Sequence, residues 1–119
     1  MGASLPPRLA ALTAAEWRTF RAVCRHPDAV PLEMVTRALA NPEPPLSSTV
    51  SNALSNARQK GWLTAELQRK GSRNAQFFSP ALSYTDALEE MFLSFVREHD
   101  LDATDLQLLK QLLADRLST

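Results

Sequence analysis

Ser48, Thr49, Ser51, Asn52 and Ser55 crowd one short stretch of the chain, and Arg58 and Gln59 follow directly. Hydroxyls and amides of this size can bond base edges and phosphate oxygens, and Asn or Gln can pair with adenine. A second set lies further on: Arg69, Lys70 and Arg73 surround Gly71-Ser72. Such cations suit phosphate. Val50, Ala53, Leu54 and Ala57 recur at i, i+3, i+4 and i+7 among the first set. That is the buried stripe of an amphipathic helix, and it turns the small polar residues outward. A solvated polar face is the default for a surface helix, so the helix and the basic segment carry the reading together.

Other chemistries lack their residues. The three glycines, Gly2, Gly61 and Gly71, cannot build a phosphate-cradling loop. His26 and His99 are far apart, and neither lies in a zinc-binding helix motif. Cys24, His26 and Asp28 have close spacing but no fourth ligand, so a helix-end loop explains them and no metal is expected. Asp100, Asp102 and Asp105 have neither the glycine nor the terminal Glu of a calcium loop. Glu89 and Glu90 are adjacent on a helix, so they diverge instead of sharing a proton. Cys24 reads as an inert thiol beside an apolar stripe. The expectation is a protein that is not an enzyme and needs no cofactor.

The elements that must position the polar helix are legible. Thr13 and Glu16 form a capping-box pair, with Leu12 and Trp17 placed as a hydrophobic staple. Trp17, Phe20, Val23 and Cys24 make the stripe of a first helix, which His26-Pro27-Asp28 stops. A second helix is predicted from Pro31, with Leu32, Val35, Ala38 and Leu39 on one face, ending in the proline-rich 41–45 segment. Ser47 or Ser48 caps the third helix, and Gly61 ends it. A hairpin follows: Leu63, Ala65 and Leu67 alternate with polar residues, residues 69–74 form a basic turn, and Ala75 to Ser79 return. Two further helices close the chain. Leu88, Met91, Phe92, Phe95 and Val96 stripe the first, and Thr104 caps the second, which carries Leu106, Leu109, Leu112, Leu113 and Leu117.

The 119 residues suit one domain with a short appendage, and 45% apolar content supports a core. The formal net charge is zero, but it is unevenly spread. Residues 1–80 hold ten Lys/Arg against five Asp/Glu, a net of +5, and residues 81–119 hold three against eight, a net of −5. A basic front can face phosphate while an acidic tail faces away. The single cysteine excludes an internal disulfide and fits a reducing, cytoplasmic setting. Neither a secretory signal nor a long apolar span is visible, so no membrane partner is expected.

Three helices and then a basic-tipped hairpin is the order of a winged helix. The run Leu12-Thr-Ala-Ala-Glu-Trp17 resembles the opening of the penicillinase-repressor (BlaI/MecI) family. So do Ser48-Thr-Val-Ser-Asn-Ala-Leu54, Lys60-Gly61-Trp62-Leu63, and Phe78-Ser79-Pro80 with Leu82-Ser83. The motifs are short, and their shared order over about residues 12–99 carries the resemblance. It implies a winged-helix homodimer on an inverted-repeat operator, inactivated by a regulatory protease cutting in its C-terminal part. Asn56-Ala57 stands where that family usually has Arg-Leu, and the C-terminal cysteines of its copper-responsive branch are absent.

The fold class expected is mainly α with a small β-hairpin wing, a winged helix-turn-helix plus C-terminal helices. Residues 1–11 are read as a flexible arm, 12–80 as the DNA-binding domain and 81–119 as the dimerisation region. Double-stranded DNA would meet Ser48, Thr49, Ser51, Asn52, Ser55, Arg58, Arg69, Lys70 and Arg73. A second copy would meet Leu88, Met91, Phe92, Phe95, Leu109, Leu112 and Leu113, placing two reading helices about 34 Å apart or a multiple of that. The function expected is a sequence-specific, homodimeric transcriptional repressor. The rival is a winged helix that binds protein instead of DNA, kept open by the zero net charge and the single Arg on the third helix.

Overall fold

The computed structural model describes residues 9–118. Helix α1 (Ala14–Cys24) starts at Thr13, as expected. The Glu16 N–H donates to the Thr13 hydroxyl at 3.2 Å, and the Thr13 N–H donates to the Glu16 carboxylate at 3.0 Å. Two backbone donors at the helix start are thereby satisfied. Phe20 and Val23 are fully buried, with Trp17 and Cys24 half-buried beside them. Thr19 is buried too, and its hydroxyl donates to the Ala15 carbonyl at 2.9 Å.

The second helix starts one residue later than expected. Val30–Pro31 forms a short strand, β1, and Pro31 is the N-cap of α2 (Leu32–Ala38). Two residues are too few to show alternation, so the strand left no signal in the sequence. Proline, lacking an N–H, is tolerated at this sheet edge. Val35 is fully buried, Leu32 and Leu39 half-buried, and Ala38 is exposed, contrary to its expected place on the inner face.

Helix α3 (Ser47–Gln59) has Leu46 as N-cap, with no side-chain cap bond, so neither Ser47 nor Ser48 caps it. Val50, Ala53, Leu54 and Ala57 are buried as their spacing requires. The helix ends at Gly61, whose φ of +90° is costly for any residue with a Cβ. There the Trp62 N–H bonds the Ala57 carbonyl and the Gly61 N–H bonds the Arg58 carbonyl, both at 3.0 Å, a Schellman ending.

Strands β2 (Leu63–Lys70) and β3 (Arg73–Pro80) make an antiparallel hairpin, and the sheet order is β1-β3-β2. The turn is only Gly71-Ser72, so Arg69, Lys70, Arg73 and Asn74 belong to strands and not to the expected six-residue turn. Gly71 at φ +65° followed by Ser72 at negative φ is the pattern of a type II′ turn, whose twist lets pairing run to the tip. Burial fades along the hairpin. Leu63 and Phe78 are buried, Ala65 is half-buried and Leu67 is 69% exposed, so the wing projects past the core.

Helix α4 (Tyr84–Glu98) is capped by Ser83, and α5 (Ala103–Leu117) by Asp102 instead of Thr104. Asp102 and Asp105 bond each other's backbone N–H groups at 2.8 and 3.2 Å, a reciprocal pair that Thr104, inside the first turn, cannot form. Only Ala87 and Glu90 of α4 are buried, and α5 buries nothing. The molecule measures 57 × 31 × 23 Å with a radius of gyration of 16.9 Å. A compact chain of this length would have about 13.5 Å, so the tail stands off the body.

An aromatic cluster joins the winged portion to the tail. Trp17 lies 5.6 Å from Phe20, 6.2 Å edge-on from Trp62 and 5.7 Å from Tyr84. Trp62 directly precedes the wing and Tyr84 begins α4, so α1 contacts the start of both. Residues 9–11 are held as well, unlike the expected loose arm. Trp62 Nε1 donates to the Ala10 carbonyl at 2.8 Å, Lys60 Nζ to the Ala11 carbonyl at 3.0 Å, and Leu9 packs on the core. The rest of that arm, residues 1–8, lies outside the described residues.

Candidate nucleic-acid interface

The buried stripe of α3 sets what its outer face can be. With Val50, Ala53, Leu54 and Ala57 locked into the core, Ser48, Thr49, Ser51, Asn52, Ser55 and Arg58 are all exposed. None of these six projects a bulky apolar group, so the helix can approach a partner surface closely. Its exit is fixed by an ion pair that sequence reasoning missed. Lys60, at the end of α3, bonds the buried Glu16 carboxylate of α1 at 2.5 Å. Burial pushes the Glu16 carboxyl up, but Lys60, the Thr13 N–H and Asn56 together hold it below its ordinary value of 4.5. Lys60 thereby ties the end of α3 to α1.

The wing stands beside this helix. A cleft of about 690 Å³ runs between α2, the start of α3 and the wing, lined by Glu33, Ser47, Ser51, Lys70, Arg73, Asn74 and neighbouring residues. The structure therefore brings Ser51, Lys70 and Arg73 together. Arg69 is exposed on the wing outside the cleft lining, and Asn52, Ser55 and Arg58 continue along α3 away from it. Lys70 is not idle: its ammonium pairs with the Glu33 carboxylate of α2. No signal in the sequence joins two residues so far apart, which is why Glu33 was missed.

On the tail, Leu88, Met91, Phe92 and Phe95 of α4 are 40–48% exposed, and Leu112 and Leu113 of α5 are 54% and 60% exposed. Leu109 is half-buried. A small pocket of about 160 Å³ between α4 and α1 is lined by Leu12, Trp17, Trp62, Met91, Phe95 and Glu98. Burial raises the Cys24 thiol to about 11, so it stays protonated near neutrality. Among the described residues no group of three or more His, Cys, Asp or Glu is placed to hold a metal ion. No helix among them is long and apolar enough to cross a membrane.

No family model matches the chain, and no curated protein matches it. Solved structures do. A MepR–DNA complex from S. aureus matches with TM-score 0.51 at 20% identity, over 90% of this chain and 79% of that one. A MepR point mutant from a multidrug resistant S. aureus clinical isolate matches with TM-score 0.51 at 16% identity, over 90% and 78%. Another S. aureus MepR point mutant, bound to an oligodeoxyribonucleotide, matches with TM-score 0.50 at 18% identity, over 89% and 78%. At these identities the likeness speaks for the fold, and it does not single out the penicillinase-repressor family. With five helices and a three-stranded antiparallel sheet ending in a hairpin among the described residues, the chain has a winged-helix fold.

Proposed function

We propose that this chain is a non-enzymatic, DNA-binding transcriptional regulator that represses as a homodimer on an inverted-repeat operator. One observation carries the reading. Helix α3 buries four residues in the core and presents Ser48, Thr49, Ser51, Asn52, Ser55 and Arg58 outward, beside a wing bearing exposed Arg69, Lys70 and Arg73. In this assignment the α3 residues read bases and the wing cations hold phosphate. That two of the similar solved structures are of MepR with DNA supports a DNA-binding reading of the fold.

The dimer reading rests on the tail. A lone 15-residue helix that buries none of its own residues is marginal in water. The row of Leu108, Leu112, Leu113 and Leu117 would gain from a second copy of the same ridge, joined by Leu88, Met91, Phe92 and Phe95 of α4. The acidic tail faces away from DNA in that arrangement. Cleavage by a regulatory protease in the C-terminal part would undo such a dimer, as the family resemblance implies.

Selection of duplexes from a random library by the purified protein at moderate salt tests this. An enriched inverted repeat supports both DNA reading and two-fold symmetry. An enriched single half-site keeps the winged helix but removes the dimer. No enrichment even at low salt overturns the proposal in favour of a protein-binding winged helix.

A further inference from the structure

We propose that Glu33 is a built-in competitor for the phosphate that Lys70 binds, an autoinhibitory contact between α2 and the wing that weakens DNA binding. This rests on the DNA-binding reading above. Glu33 is the one acid among the described residues lining the cleft between α2, α3 and the wing, where Ser51, Lys70 and Arg73 also converge. Its carboxylate sits on the Lys70 ammonium. Lys70 and Arg73 are directly opposite each other in the hairpin register, and like charges so placed repel. A carboxylate beside them offsets that repulsion. A backbone phosphate would do the same, with one negative charge and the same kind of oxygen acceptor. Two anions on one ammonium would stand within a few ångströms of each other, so DNA must displace Glu33 to reach Lys70.

The contact is weak enough to open. Both side chains are about half exposed, at 48% and 55%, and exposed pairs of this kind shift an equilibrium by a factor of roughly 1.5 to 5. The wing is thus lightly held, and Glu33 sets a threshold on affinity without abolishing binding.

The test is a double-mutant cycle on the full chain, read by fluorescence anisotropy with a short mixed-sequence duplex at low salt. That probe isolates the phosphate contribution. Glu33→Gln is expected to tighten binding about 1.5- to five-fold, Lys70→Ala to weaken it, and the Gln gain to vanish in the Lys70→Ala background. Glu33→Ser gives the same comparison should Gln disturb α2, with thermal melts confirming that each variant folds. Binding unchanged or weakened by Glu33→Gln overturns the competition. An equal gain in the Lys70→Ala background overturns it too, because the acid would then act only by general repulsion. A wild-type chain that binds no duplex at all overturns the DNA reading itself, an outcome distinct from the other two.

Discussion

Replacing Lys60 with Met removes a charge while keeping most of the side-chain stem. In the wild type Glu16 is 5% exposed, and its carboxylate meets Lys60 Nζ at 2.5 Å and the Thr13 N–H at 3.0 Å. Breaking a fully buried pair costs about 3–5 kcal/mol, but the Lys60 side chain is 28% exposed, and water screens part of that loss. The cost expected at neutral pH is about 1–2 kcal/mol. With a urea m-value of about 1–3 kcal/mol/M, the midpoint falls by roughly 0.3–2 M. The pH dependence changes as well. Glu16 is held below 4.5 in the folded chain, so its contribution is full above that value and is lost as pH falls through the depressed folded pKa. Without Lys60 only the Thr13 N–H and Asn56 oppose the burial effect, so the folded pKa rises and acid destabilisation by this group begins at higher pH. Urea denaturation of both proteins across a pH series down to acid measures both effects. Superimposable midpoints and pH profiles would refute the reasoning and make the pair an incidental surface contact.

Three further outcomes are expected. Gly61→Ala forces a Cβ into a backbone at φ +90° and 3.0 Å from Leu9 Cδ2, so calorimetry should show a loss of about 1–3 kcal/mol; a change within a few tenths would mean the turn relaxes freely. Arg73→Ala should weaken binding to every duplex alike, and Asn52→Ala should mainly alter base preference by about 1–3 kcal/mol at one position, compared by competition binding; equal effects on all sequences would remove that division of roles. Phe92→Asp, at a site 48% exposed on α4, should shift sedimentation from dimer to monomer with little loss of the winged domain's own stability, and an unchanged dimer would move the interface elsewhere.

Local signals were written clearly where one short stretch decides the outcome. Thr13 and Glu16 announce the start of α1 because both partners of the box lie within one turn. The α3 stripe is readable because burial on one helix face must recur at helical spacing. Gly61 marks a helix end because few other residues tolerate its backbone. These signals sufficed for the winged order and for the polar outer face of α3. The tail's Leu and Phe stripes were equally plain, since their spacing alone makes a face.

What the tertiary structure decided involves partners distant in sequence. The length of the wing strands depended on the whole hairpin settling on a two-residue turn, which placed Lys70 and Arg73 opposite each other. The third strand exists only because β3 offers Val30 and Pro31 a partner. Residues 9–11 are ordered because the Trp62 and Lys60 side chains find carbonyls there. Glu33 and Glu16 are both acids in the first turns of helices, yet one meets Lys70 in an open cleft and the other is buried against Lys60. Residue type sets which charges a chain carries, and packing sets which of them meet and how much water screens them.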